Sequence, residues 1–419
     1  MSSTPKSALQ LGPILIGLYL FSVPSFGYSD ASGLLAIPQL LGALLVGLAL
    51  FDLIGGFRFT VPTEVVIYGL MGLWALLTFL PIPGTTSDDL QSVGTMVKVV
   101  ATTLACAQLI KDEKGLFTAL RIFVFSSVLV YVLNQGELQM LQITGAVSEQ
   151  DRFAGTLTNA NTAAIFSLSV LWAAVILMKR ANFRLSAVAL YVPSMAAAAL
   201  ILYYSGSKKG LIGLALLAVF AGRLLYIRRK PTAFQKALVA VLSLALIGAV
   251  GYAIYTSPFF FRMEQLFQGI ANPSDANRLL LAKEAVDVWL SSVKTFFIGV
   301  GYDQYWKLNT LGSYAHSTPL ELLACNGLVG FSLFMGFLVL LWRRFIRLYR
   351  QAVDPLLKSE YFGIILFLVF FSLFMLAAVL HESRELLPIL GCLAAFGQAQ
   401  RTLGPPAPAE APAVAEEGR

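Results

Sequence analysis

The sequence predicts an all-α integral membrane protein of about twelve transmembrane helices. Three observations predict it. Long apolar runs recur along the 419 residues. Charged residues make up only 13% of the chain, where a soluble domain usually carries about 25%, so a water-facing globule would lack polar surface. The Lys and Arg residues gather in alternate connections between the runs, as the positive-inside rule requires of a multi-pass chain.

Apolar stretches long enough to cross a bilayer fall near 10–28, 34–54, 61–81, 91–110, 114–133, 160–178, 185–204, 210–227, 237–256, 318–341, 360–380 and 385–400. The first lacks a small-residue cleavage site ahead of a polar mature start, and further spans follow, so it reads as a helix rather than a signal peptide. The last is short and reads as tilted or partly buried. With the N-terminus in the cytoplasm, the inner segments hold Arg58; Lys111 and Lys114; Lys179, Arg180 and Arg184; Arg223, Arg228, Arg229 and Lys230; Arg343, Arg344, Arg347 and Arg350; and Arg401. That distribution accounts for most of the net charge of +7 without a nucleic-acid partner. It also returns the C-terminus to the cytoplasm.

The chain therefore divides into residues 1–256 with spans one to nine, a large outer loop at 257–317, residues 318–402 with spans ten to twelve, and a Pro/Ala/Glu-rich tail at 403–419 expected to be disordered. Cys106, Cys325 and Cys392 lie in apolar runs and read as packing residues. In the large loop, Phe259, Met263, Leu266 and Ile270 share a helical face, which reads either as an interfacial helix or as the frayed end of span nine. Ser274 or Asp275 is expected to cap a second helix over about 276–292, with Leu281, Ala285, Val288 and Ser292 on one face. Gly299-Val-Gly301 is a turn; without a third glycine it is no nucleotide fingerprint.

The residues that could carry chemistry are cations on the outer side, against the general pattern. They are Arg152, ahead of span six; Lys208 and Lys209, at the outer end of span eight; Arg278, Lys283, Lys294 and Lys307, in the large loop; and Arg384, in the last outer turn. His316 stands at the entrance to span ten. Singly, each has a structural explanation. Lys283, Lys294 and Lys307 read as snorkelling side chains, and His381 as the interfacial end of span eleven. Together, several cations and one His converge on one side from segments far apart in sequence. That combination suits transfer from a diphosphate. Arg and Lys hold the phosphates and stabilise the charge that grows on the leaving group, Arg through a bidentate fork. Neutral His can accept a proton from an attacking hydroxyl.

Other candidates stay open between two readings. Asn159 and Asn161, opening span six, are N-capping residues or part of an anion site at a helix N-terminus. Tyr305 and Trp306 are stacking rings of a site or interfacial aromatics. Asp88-Asp89, an adjacent acidic pair in the second outer connection, reads as solvated, with metal binding a minor reading. A transporter would instead place ionisable residues near the membrane midplane, where this chain offers few.

From Arg152 to about Gly330 the chain resembles the O-antigen ligase and O-antigen polymerase superfamily of bacterial inner-membrane glycosyltransferases. Four pieces carry the resemblance. Arg152-Phe-Ala-Gly-Thr-Leu-Thr-Asn159-Ala-Asn161 is similar to an Arg-x-x-Gly segment followed by Asn residues that open a helix. Ser205-Gly-Ser-Lys208-Lys209-Gly is similar to a Ser-Arg-x-Gly/Ala helix start, with Lys208 where Arg is usual. Arg278, Trp289 and Gly299-Val-Gly301 resemble the helix and turn of a periplasmic loop. His316-Ser317, nine residues, then Gly327-Leu-Val-Gly330 fits the most specific pattern.

The resemblance implies a metal-independent, inverting glycosyltransferase of the C type that needs no cofactor. Its donor would be a glycan on undecaprenyl diphosphate at the outer leaflet, its acceptor a glycan or lipid A–core. His316 would be the base, with Arg152, Arg278, Lys208 and Lys209 on the diphosphate. Asn159, Asn161, Tyr305 and Arg384 would line the site. The site would face the periplasm. The Pro319-Leu-Glu-Leu-Leu323 run leans toward a polymerase, with the ligase as the alternative.

Overall fold

The computed structural model describes residues 8–26, 36–55, 59–80, 86–137, 155–157, 159–226 and 273–402. Among these the chain is helical, with no strand. The helices in order are α1 (Ala8–Phe26), α2 (Ala36–Ile54), α3 (Thr63–Phe79), α4 (Ser87–Leu109), α5 (Glu113–Val124), α6 (Ser126–Leu133), α7 (Ala160–Arg180), α8 (Leu185–Ser205), α9 (Lys208–Tyr226), α10 (Pro273–Leu290), α11 (Val293–Ile298), α12 (Thr318–Gln351), α13 (Pro355–Met375) and α14 (Leu386–Thr402). Among the described residues, seven helical stretches are long and apolar enough to cross a membrane: those of α2, α4, the joined α5–α6, α7, α8, α12 and α13. The helices expected near 10–28, 61–81, 210–227 and 385–400 are present as α1, α3, α9 and α14. Span nine, the aromatic segment at 259–270 and Arg152 lie outside the described residues.

Helix α7 is the centre of the bundle. It is apolar on every face and nearly all its side chains are buried. It packs against α5, α8, α9 and α13. The outer helices instead expose large apolar side chains, such as Leu40, Phe51 and Ile54 on α2 and Leu73 and Leu77 on α3. Such an apolar surface belongs against lipid.

The two ends of the bundle differ in charge chemistry. At one end, Lys179 Nζ meets Glu360 Oε1 at 2.5 Å, and Arg180 pairs with both Glu360 and Glu113. Lys111 meets Asp52 at 3.0 Å, and Arg344 Nε meets the buried Glu64 at 2.6 Å. All these cations belong to segments read as inner. They tie α2, α3, the α4–α5 connection, α5, α7, α12 and α13 together at that end. The connections read as outer gather at the opposite end, around α10–α11 and the turns on either side of α13's C-terminus.

The second loop helix begins at Pro273, three residues earlier than expected, so Ser274 and Asp275 fall inside its first turn rather than before it. Leu281 and Ala285 face inward as expected, in a small apolar cluster with Tyr305, Ala315, Ala324 and Cys325. Ser292 is not on that face; it caps α11, accepting from the Thr295 backbone N–H.

Helix α12 is broken at Gly327, whose φ of 63° and ψ of −169° are not helical. The break frees carbonyls that the helix would otherwise use. Val300 N–H donates to Ala324 O at 3.0 Å and Gly301 N–H to Cys325 O at 2.9 Å. Trp74 Nε1 donates to Asn326 O at 2.9 Å. The Gly299-Val-Gly301 turn thus docks on the broken helix. Both partners must be glycine: a Cβ on Gly327 would lie 2.4 Å from the Phe297 carbonyl, and one on Gly299 would lie 2.3 Å from the Cys325 carbonyl oxygen.

Candidate functional site

A cavity of about 230 Å³ opens at the loop-rich end. Its wall is drawn from four places in the sequence: the start of α7, the turn after Gly301, the loop and first turns of α12, and the α13–α14 connection.

His316 lines it just before α12. Its backbone takes a φ of 54°, in the left-handed region that a non-glycine residue rarely adopts. The neighbouring structure holds it there. Ala315 N–H donates to Glu321 Oε2 at 2.6 Å, from a carboxylate one turn up the helix and 4% exposed. Thr318 donates both its N–H (3.1 Å) and its hydroxyl (2.6 Å) to Ala378 O, and its hydroxyl accepts from Leu380 N–H at 2.8 Å. The His316 loop is thereby clamped to the α13–α14 connection. The Tyr314 ring lies 4.3 Å from the imidazole, centroid to centroid. Burial lowers the His316 pKa below 6.5, and the positive charges of Arg278 and Lys209 lower it further. The ring is neutral at pH 7.

Arg278 and Lys209 thus both act on the charge of His316. Lys209, at the start of α9, also donates to Ala377 O beside the cavity. Asn159 is the N-cap of α7, its side chain accepting from Asn161 N–H at 2.8 Å. The capping reading is therefore realised, and both Asn159 and Asn161 line the cavity as well. Asn161 Oδ1 accepts from Ser207 Oγ at 3.2 Å, joining the two sequence segments that precede α7 and α9.

Other expected residues lie elsewhere. Tyr305 is fully buried, its hydroxyl donating to Leu281 O at 2.6 Å, so its ring is packed and does not line the cavity. Arg384 reaches Thr95 Oγ1 at 3.2 Å and is not among the residues that line the cavity. Lys307 does not snorkel: its ammonium meets the Asp89 carboxylate at 2.6 Å. Asp89 is not solvated. It is 1% exposed, closes a capping box with Thr86 and accepts from Gln304 Nε2 at 3.0 Å. Only Asp88 of the pair faces solvent.

Tyr302, Asp303, His381 and Glu382 are among the lining residues that were not anticipated. His381 is no interfacial helix end; it is 3% exposed. Burial takes its pKa down to about 4. Tyr302 donates to Glu382 Oε2 at 2.5 Å. Burial raises the Glu382 carboxyl. Burial, aided by the charges of Glu382 and Asp89, raises Asp303 to about 6. One signal was available in the sequence: His381 is one of only two histidines in the chain.

A neutral imidazole beside two cations, in a partly enclosed cavity, can deprotonate a hydroxyl next to a bound anion. Residues 193–335 match the family model described as O-Antigen ligase. This segment is similar to the O-antigen ligase family. The match supports the O-antigen ligase and polymerase superfamily. The matched segment covers about a third of the chain, and holds Lys208, Lys209, Arg278 and His316. Asn159, Asn161, His381 and Glu382 reach the same cavity from outside it. No curated protein matches the chain.

Proposed function

We propose that the protein transfers a glycan from undecaprenyl diphosphate to a sugar hydroxyl, at a cavity facing the periplasm. In this reading the chain crosses the bacterial inner membrane about twelve times, with both termini in the cytoplasm. The observation that carries it is the neutral His316 on the cavity wall, with Arg278 and Lys209 close enough to act on its charge.

His316 takes the proton of the acceptor hydroxyl as that oxygen attacks the anomeric carbon. The bond from the anomeric carbon to the diphosphate oxygen breaks with inversion, and the lipid diphosphate leaves. Arg278 and Lys209, joined by Arg152 and Lys208, stabilise the charge that collects on the leaving group. Such stabilisation by Arg and Lys supplies what a metal ion would, so the transfer is metal-independent.

The acceptor divides two readings. The Pro319-Leu-Glu-Leu-Leu323 run favours a polymerase that joins repeat units. The description of the matched family favours a ligase that delivers the glycan to lipid A–core. Purified protein given lipid-linked repeat units alone, and then with lipid A–core added, tests both. Product ladders in the first mixture mean a polymerase, and product only in the second means a ligase. No transfer in either would reject the proposal.

A further inference from the structure

The cavity is polarised. His316 is acted on by Arg278 and Lys209. On the other side the charge of Glu382 acts on Asp303, and the Tyr302 hydroxyl donates to Glu382. Two carboxyl groups and a histidine therefore border a space that the diphosphate chemistry leaves unused.

This second wall is built rather than incidental. Asp303 sits at a φ of 57°, two residues after the Gly299-Val-Gly301 turn that docks on the broken α12. Glu382 is fixed by the Tyr302 hydroxyl at 2.5 Å. His381 lies beside them, 3% exposed, and its Nδ1 has no hydrogen-bond partner among the described residues. A buried, unpartnered polar atom in a cavity wall is costly unless a ligand satisfies it. Carboxylates and a neutral imidazole nitrogen are acceptors, so they suit a ligand rich in hydroxyl donors. Among the described residues no three His, Cys, Asp or Glu side chains are grouped to hold a metal ion.

We infer that Asp303, His381 and Glu382, with Tyr302 holding Glu382, form the subsite that binds the acceptor sugar through its hydroxyl groups. The inference rests on the transfer reading above and adds which wall receives which substrate. The cationic wall takes the lipid diphosphate. The acidic wall takes the sugar and turns one hydroxyl toward His316. Acceptors that lack the bound hydroxyls are rejected, because the buried His381 Nδ1 would then be left without a partner.

Two probes separate the walls. A repeat-unit oligosaccharide, freed from its lipid diphosphate by mild acid, serves as acceptor only. Undecaprenyl diphosphate without a glycan serves as inhibitor at the donor wall. The full-length protein, Asp303→Asn and Glu382→Gln are assayed with lipid-linked glycan as donor, and thermal melts check folding. Asn tolerates the left-handed backbone at 303 and Gln keeps the shape of Glu382. Each variant should raise the KM for the oligosaccharide at least about tenfold, the weight of a charge-assisted hydrogen bond. Inhibition by undecaprenyl diphosphate should not change.

An oligosaccharide KM within twofold of the parent in both folded variants would overturn the inference. So would a parent protein that uses lipid-linked acceptors but ignores the free oligosaccharide. Absence of any transfer by the parent would remove the transfer reading itself, and this inference with it.

Discussion

The backbone N–H of Ala315 points at the carboxylate of Glu321 and donates to it at 2.6 Å. His316 is the next residue, at a φ of 54°. The helix that begins at Thr318 therefore sends a side chain back to hold the loop that presents the imidazole. Glu321 acts through His316 and is a positioning residue. Gln keeps an oxygen that can accept from Ala315, and Leu does not. Glu321→Gln is expected to stay within about fivefold of the parent kcat. Glu321→Leu is expected to lose about a hundredfold in kcat with little change in KM, the scale of an ångström-sized misplacement. Steady-state kinetics alongside a thermal melt distinguish this from simple unfolding.

Gly299 and Gly327 form a second fixed contact. Alanine at 327 would press against the Phe297 carbonyl at 2.4 Å and would also adopt a positive φ. Gly327→Ala should destabilise the protein by roughly 2 kcal/mol or more. Gly312 is the control. Its φ is also positive, but a Cβ there meets open space, so Gly312→Ala should cost only about 1 kcal/mol. Melting temperatures in one detergent would rank the two variants.

The pH dependence follows from the His316 environment. Its pKa is lowered, so the neutral, proton-accepting form persists into mildly acidic solution. The rate should fall as pH drops through that lowered pKa, placing the acid limb below 6.5. Lys209 contributes to the lowering. Lys209→Gln removes that charge and should move the limb upward, toward 6.5. Profiles of kcat/KM for parent and variant, measured over pH 5 to 8, test the direction.

Much of the architecture was legible in the sequence because the bilayer imposes a length and a polarity on each span. Helices α1 to α4 and α7 to α9 stand where hydropathy puts them. Part of the site was legible too: His316, Asn159 and Asn161 reach one cavity from distant segments. What hydropathy could not show is pairing. Lys307 and Asp89 lie 218 positions apart, and nothing local tells a buried ion pair from two surface charges. Lys179 and Arg180 matched the positive-inside pattern, yet each is held by Glu360. The break at Gly327 was hidden for the same reason. A lone Gly in an apolar run is ordinary until another backbone, here at 297–299, is seen pressed against it.

Arg278 tests the donor side. Lysine keeps the charge near His316 but loses the fork that grips phosphate oxygens. Arg278→Lys should lower kcat/KM for the lipid-linked donor about tenfold or more while the acid limb of the pH profile stays in place. Full activity would mean that only the charge of Arg278 matters.

His316 carries the central claim, and replacing it is the most direct test. Purified parent protein and His316→Ala are given lipid-linked repeat units, with and without lipid A–core, and glycan transfer is followed. The expected result is transfer by the parent and a loss of about a thousandfold in the variant, with an unchanged melting temperature. A folded His316→Ala protein that transfers glycan at nearly the parent rate would contradict the account.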